Sequence, residues 1–374
     1  MHILIAALHR PTKPTGVCRH AANLAKCLAD TDNISKVTLV VGSWQKYYFE
    51  TSFSLESNKI TLVSVDVKNI SITRNFWFLW DLPKLAKQLH ADLVHLAFPL
   101  PFIRQLFPCP VVATIHDLYA YEYPQNFGYP NVIFNQLFLK QCINNSDGLS
   151  CVSQYTLERL KEYFPQIEQR KKASVIYNYV DFSHVTSQAP KSTNAQLPFL
   201  LAVAQHRKNK NLDILIKSYH LLLNAHQIKD STQLIIVGST GPETENIHNQ
   251  IQALSLQDRI LLMTSIDDGE LRWLYENCQL LVVPSSTEGF CLPLAEALYL
   301  ACRVVCSNIP IFREIGNNNC NYFELHGDTT QNLAKAITDC LSEPDSNHII
   351  PDQRFCKLNT AHQYLNFYAR MLVF

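Results

Sequence analysis

At 374 residues, with 32 lysines and arginines against 32 acidic residues, the chain carries no net charge. That balance argues against nucleic acid as the main partner, because gripping a phosphate backbone takes a basic surplus. Hydrophobic residues make up 47% and charged ones 17%, which excludes a disordered chain and supplies apolar side chains for two cores rather than one.

The first apolar run, 2–8, is too short to cross a bilayer and has no cleavage site, so it reads as a buried strand. The twelve cysteines include no Cys-x-x-Cys, follow no secretory signal, and in several cases sit inside apolar runs. They fit reduced core thiols of a cytoplasmic protein, with Cys302 and Cys306 on one buried strand. Further strands are expected at 37–41, 60–65, 92–98, 110–115, 148–152 and 173–177. Unbroken apolar runs of this length suit parallel strands covered by helices on both faces. Between them the apolar period lengthens, and Ala21, Leu24, Ala25 and Leu28 share one helical face. The stretch 183–196 is polar and carries Pro190, marking 183–197 as an interdomain linker. A second strand series follows at 199–204, 232–237, 259–263, 279–284 and 303–306. Ala361, Tyr364, Leu365, Tyr368 and Leu372 then line one face of a last helix that packs back on the body, with the N-terminal domain as a candidate platform. Strand–helix alternation in two series predicts an α/β protein of two Rossmann-like, doubly wound domains, 1–182 and 198–355, facing a central cleft, with 356–374 as the returning helix. Open parallel sheets bind ligands beyond the carboxyl ends of their strands, so the loops there are where chemistry is sought.

The most informative stretch is Val283-Pro284-Ser285-Ser286-Thr287-Glu288-Gly289-Phe290-Cys291-Leu292-Pro293-Leu294-Ala295-Glu296. A strand ends at Pro284, a polar loop carries Glu288 and Gly289, and Pro293 suits the first turn of a helix. Such a junction offers backbone N–H groups and the positive helix end to a phosphate. Two carboxylates beside it are costly unless they bind hydroxyls, which sugars supply. A helix-capping Glu296 with a solvated Glu288 weighs about equally on these residues alone.

This segment, with its two glutamates eight positions apart, resembles the signature of the retaining GT-B glycosyltransferases of family four (glycosyl transferases group 1). The resemblance extends to 271–275 and 278–284 before it, and to Val304-Val305-Cys306-Ser307-Asn308 and Glu314 after it. It implies that Glu288 binds donor-sugar hydroxyls near the reacting centre and that Glu296 holds the ribose hydroxyls of the nucleotide. Gly289, Phe290, Cys291 and Leu292 would contact sugar and diphosphate, with Cys291 standing where glycine is usual and narrowing the pocket. The basic loop 204–212 resembles the family's diphosphate loop, with Lys210 in place and Arg207 as its arginine, Lys208 being the rival. In the N-terminal half, Gly16 and Arg19 resemble the Gly-x-x-Arg loop, Gly16 on the donor side and Arg19 on the acceptor side. His116 resembles a histidine that touches the donor sugar, and Asp117 beside it falls on the acceptor side; a structural histidine or a His–Asp acid/base pair are the alternatives. The resemblance further implies a GDP- or UDP-sugar donor of hexose type, a glycan or lipid-linked acceptor, retention of configuration and no cofactor.

Asp30-Thr31-Asp32 has the form of a metal-binding Asp-x-Asp, but it follows a helix and reads as a turn, so no metal is expected. Phe76-Trp77-Phe78-Leu79-Trp80, flanked by Arg74, Lys84 and Lys87, suits either a peripheral membrane contact through 74–80 or plain packing, packing being favoured. Phe102, Arg104 and Phe107 form a smaller echo. A sugar-nucleotide epimerase or a non-catalytic nucleotide-sugar-binding subunit are the competing functions. A dehydrogenase is disfavoured because no Gly-x-Gly-x-x-Gly follows a strand.

Overall fold

The computed structural model describes residues 1–126, 128–167, 172–191, 193, 197–264, 266–343 and 353–372. The chain divides into two compact units, Met1–Tyr179 with Arg354–Phe374, and Val180–Gln353.

The first unit is built on seven parallel strands: β1 (His2–Ala6), β2 (Lys36–Gly42), β3 (Ile60–Val65), β4 (Leu93–Leu96), β5 (Val111–Ile115), β6 (Gly148–Cys151) and β7 (Lys172–Val175). Their spatial order is β3-β2-β1-β4-β5-β6-β7, so the winding reverses between β1 and β4. Ile3 stands opposite both Val37 and Leu93. Alternate residues of β1 feed separate cores, Ile3 and Ile5 into one and Leu4 and Ala6 into the other. Burial on both faces is why these strands read as unbroken apolar runs. The helix Gly16–Ala29 covers the first core, joined by Lys357–Leu372, whose Tyr364, Phe367, Tyr368 and Met371 are buried there. The returning helix thus belongs to the N-terminal unit.

The second unit has six parallel strands: β8 (Phe199–Val203), β9 (Gln233–Val237), β10 (Ile260–Met263), β11 (Leu280–Val283), β12 (Val304–Ser307) and β13 (Asn321–Phe323). Their order is β10-β9-β8-β11-β12-β13, with the reversal between β8 and β11. All twelve expected strands are present. The thirteenth, β13, spans only three residues and offers too short a pattern to read.

Several local expectations need correction. Described residues of 183–197 lie within the second unit: Arg272 Nη1 donates to the carbonyls of Phe182 and Val185, at 3.0 and 2.6 Å, and Gln188 N donates to that of Gly269 at 3.1 Å. Ser192 and residues 194–196 fall outside the described residues. Cys302 precedes β12 rather than sharing it with Cys306, and its Sγ lies 3.3 Å from that of Cys278. The described cysteines are all free thiols. Trp77 and Phe78 are core residues while Phe76 and Trp80 face solvent, so the aromatic run is split between packing and surface. Phe102 and Phe107 are buried, and Arg104 pairs with Asp147 at 2.6 Å, so that echo is structural. In the Asp-x-Asp stretch, Thr31 Oγ1 donates to Leu28 O and Asp30 pairs with Lys357. Among the described residues no group of three or more His, Cys, Asp or Glu is placed to hold a metal, and no helix is long and apolar enough to cross a membrane.

Candidate active site

In the second unit the loops following β8 and β11 lie side by side, because these strands flank the point where the sheet reverses. That is where open α/β sheets bind ligands. The two loops are stitched together. Asn211, at a left-handed φ of 48°, sends Nδ2 to the carbonyl of Pro284 at 2.8 Å. Ser286 N donates to Asn209 O at 2.8 Å, and Asn209 Nδ2 donates to Thr287 O at 3.2 Å. Gly238, after β9, closes the third side: a Cβ there would lie 1.9 Å from the Ala204 carbonyl oxygen, so only glycine lets these loops approach.

This stitching delivers Lys210 onto Glu288. Its Nζ pairs with Glu288 Oε1, which also accepts a hydrogen bond from Ser285 Oγ at 2.9 Å. Both side chains are largely enclosed, 19% and 13% exposed respectively. Burial pulls the Lys210 ammonium down, but the Glu288 carboxylate, Cys291 and the hydrogen bond to Glu288 outweigh burial and the opposing Arg207 and leave it raised. Arg207, which opens the short turn Lys208–Lys210, is exposed, as is Lys208.

The helix Leu292–Tyr299 starts with Pro293 in its first turn, as its sequence requires. Glu296, in its second turn, is buried and accepts from the Tyr275 hydroxyl at 2.9 Å. Burial and then Glu296 push the Tyr275 phenol well above its usual range, so it stays a donor. Gly289 is half-buried and Phe290 buried in the loop between the two glutamates. Cys291 caps the helix at φ 70° and ψ 77°, a left-handed conformation that glycine adopts freely and other residues at a cost. Burial first, then Glu288, raise its thiol far above the usual range, against Lys210, with Glu296 adding to the rise. Cys291 is therefore a neutral thiol within electrostatic reach of both glutamates and of Lys210.

The remaining expected residues fall in the first unit. Gly16 begins the helix Gly16–Ala29, with Thr15 Oγ1 as its cap, and Arg19 lies over the Phe53 ring at 5.7 Å. His116, just past β5, donates from Nε2 to the Ala97 carbonyl at 2.8 Å. Since a carbonyl can only accept, the proton sits on Nε2 and Nδ1 is left as an acceptor. Burial lowers the His116 pKa against the opposing pull of Ala97 and Asp117, so the ring is neutral. Asp117 is exposed and its carboxylate accepts from Tyr119 N at 3.0 Å, which makes it a turn cap rather than the acid half of a pair with His116. His116 packs edge-on against His20, at 4.7 Å between ring centres, tying it to the helix that carries Gly16 and Arg19. Ser285, Asn209 and Gly238 were not singled out by sequence. Ser285 sits three residues before Glu288 on one loop, a spacing that could have marked it, whereas the others act across the sheet and leave no local signal.

Two doubly wound α/β halves, each with its polar loops at the carboxyl ends of its strands, define the two-Rossmann class known as GT-B. Comparison with known proteins agrees. The model of "Glycosyltransferase Family 4" matches residues 14–184 and that of "Glycosyl transferases group 1" matches residues 186–353. The chain belongs to the group 1 GT-B glycosyltransferases. It is 29% identical over 235 residues to the O-antigen chain mannosyltransferase RfbU of Salmonella typhimurium, covering 62% of this chain and 61% of that protein. It is 24% identical over 358 residues to the O-antigen biosynthesis glycosyltransferase WclY of Escherichia coli, covering 91% and 94%. Among solved structures, Anabaena Alr3699/HepE in complex with UDP and glucose superposes with a TM-score of 0.71 at 18% identity, covering 98% and 99%.

Proposed function

We propose that this glycosyltransferase moves a hexose from a GDP- or UDP-sugar to a glycan or lipid-linked acceptor in the assembly of a bacterial-type surface polysaccharide, with the anomeric configuration retained. The observation that carries the donor assignment is the Lys210–Glu288 pair on the adjoining loops of β8 and β11, with Glu296 and Tyr275 beside it. The names of the two O-antigen relatives support the acceptor class, and the UDP held by the Anabaena neighbour supports the donor class.

In the reaction the bond from the anomeric carbon to the diphosphate oxygen breaks, and the acceptor oxygen bonds to that carbon on the same face. The acceptor proton passes to the leaving diphosphate. Negative charge grows on the departing oxygens, so cations fixed beside them act mainly in the transition state. An ammonium has three N–H donors, so Lys210 can hold Glu288 and still reach the diphosphate, with the exposed Arg207 as its second cation. Glu288 and Glu296 accept hydroxyls of the sugar and the ribose, and Gly289, Phe290, Cys291 and Leu292 line the way between them. This cationic set stands in for a divalent metal, so turnover should survive EDTA. In the first unit, neutral His116 offers its Nδ1 to a donor-sugar hydroxyl, Gly16 lets its loop approach the donor, and Arg19 serves the acceptor side. The work is cytoplasmic, where nucleotide sugars are made.

A thermal-shift series with GDP-, UDP-, ADP- and dTDP-sugars in EDTA, followed by transfer assays, tests this. One nucleotide family should raise the melting temperature, and Glu288→Gln should cut transfer at least about a hundredfold while the fold persists. Turnover unchanged in that variant, or product of inverted configuration, would refute the assignment.

A further inference from the structure

The stretch 182–188 belongs to the second unit, where it lies along the helix Asp268–Asn277 as a strap. A capping box, Asp267 with Glu270, starts that helix. Gly269, Arg272 and Glu276 follow at spacings of three and four, which puts them on one helical face. Each of the three holds the strap. Arg272 Nη1 gathers the Phe182 and Val185 carbonyls, and Val185 N closes the turn between them onto Phe182 O at 3.1 Å. Gly269 O accepts from Gln188 N at 3.1 Å. A Cβ on Gly269 would lie 2.5 Å from the Thr186 carbonyl oxygen, so a side chain there would lift the strap off the helix. Glu276 pairs with Arg272 Nε at 2.6 Å. Burial would raise its carboxylate, but a hydrogen bond from Ser187, and then Arg272, hold it below the usual range.

Held this way, the strap drives one large side chain inward. Phe182, 4% exposed, sets its ring edge-on to Tyr275, with 6.4 Å between ring centres, and lies 6.3 Å from the ring of Tyr299. Tyr299 stands three residues after Glu296 on the helix Leu292–Tyr299, one turn further along the same face. Phe182 therefore packs against both helices that share the Tyr275–Glu296 hydrogen bond. A carboxylate turns readily about its last side-chain torsion, and the phenol bonded to Glu296 Oε2 at 2.9 Å sets its plane. A small shift of the Tyr275 ring lengthens or bends that bond and lets the carboxylate turn.

We propose that Arg272 and Phe182 are positioning residues of the nucleotide site: Arg272 fastens the strap, Phe182 wedges Tyr275, and Tyr275 aims the Glu296 carboxylate at the ribose hydroxyls. Neither acts by touching the nucleotide. This role rests on the reading of Glu296 as the ribose carboxylate, and it predicts a selective loss. Loosening the strap costs the ribose contact and leaves the base and diphosphate contacts in place.

Calorimetry with GDP and UDP, each against a dideoxy counterpart lacking both ribose hydroxyls, reads that contact as a ratio of affinities. For the nucleotide that binds, the native chain should prefer the hydroxylated form at least about tenfold, as hydrogen bonds to a carboxylate imply. Glu296→Ala should bring the ratio below about threefold. Arg272→Met, Gly269→Ala and Phe182→Leu should each do the same, with affinity for the dideoxy form changed less than about twofold. Circular dichroism and the melting temperature verify each fold. Gly269→Ala adds a single methyl in the first turn of the helix and carries the test if Arg272→Met does not fold. With the ratio collapsed in Glu296→Ala, a ratio unchanged in the strap variants, or equal losses for both forms, overturns the proposal alone. A ratio that Glu296→Ala leaves intact, or no binding of either nucleotide, removes the ribose reading and the proposal with it.

Discussion

Lowering the pH from about 7.5 to about 5 should destabilise the N-terminal unit through His95. This residue lies on β4 with no exposure, its Nδ1 2.6 Å from the Tyr368 hydroxyl and its Nε2 2.7 Å from Thr114 Oγ1. The groups around it are His116, His20, Thr114, Tyr364 and Tyr368, none of them an anion at these pH values. Burial, with His116 adding to it, pushes the imidazole down to about 3. In the unfolded chain it titrates near 6.5, so between those values the unfolded state binds more protons and stability rises with pH. The contribution is whole above about 6.5 and is lost as pH falls below it. At about pH 5, some 1.5 units below the unfolded value, the loss is about 2 kcal/mol from this one residue. His20, lowered well below its ordinary value by burial and then by His116, adds in the same direction. Urea unfolding at the two pH values, followed by tryptophan fluorescence, measures the loss, since Trp44, Trp77 and Trp80 all lie in this unit. Hydrogen exchange in the helix Lys357–Leu372, which carries Tyr368, localises it. His95→Gln should flatten the pH dependence by about 2 kcal/mol whatever its basal stability. Equal stability at both values, or the same slope in the variant, refutes a buried neutral His95.

In the C-terminal unit, Lys210→Met strands the enclosed Glu288 carboxylate with Ser285 as its hydrogen-bond donor, and should cost about 3 kcal/mol in denaturant unfolding. The same variant should lower kcat at least about a hundredfold, because the ammonium is asked to act on the leaving diphosphate. Tyr275→Phe removes the hydroxyl that Glu296 accepts, and should cost about 1–3 kcal/mol of stability and weaken nucleotide binding in calorimetry. At Cys291, Gly should leave stability within about 1 kcal/mol, relief of the left-handed strain offsetting the lost thiol contacts and the looser unfolded chain. Val at the same site should cost more than about 2 kcal/mol, since a β-branched residue resists that backbone, and equal melting temperatures for the two variants would show that the strain is absent.

What could be read from the chain in advance follows from how far apart the interacting residues lie. Strands buried on both faces announce themselves as apolar runs, so twelve were visible, while Asn321–Phe323 is shorter than any period. The polar composition of 183–197 suggested a linker, yet the carbonyls of Val185 within it and Phe182 just before it are held by Arg272, some ninety positions away. The glutamates and the basic loop were each visible because each is a local pattern after a strand. Their pairing was not: Lys210 and Glu288 are 78 residues apart, and they meet because β8 is followed in the chain by β9 but is flanked in space by β11 as well. A spacing rule cannot supply that adjacency; sheet order does. Cys291 shows the same limit at the level of one residue. Its thiol in a glycine position suggested a matter of volume, a narrower sugar pocket. The backbone adds a second cost, because a φ of 70° must be held by the packing around Phe290 and Leu294 rather than being free. That strain sits between the two glutamates, and the donor site proposed above, which would aim both carboxylates at one ligand, would gain most from a backbone unable to relax.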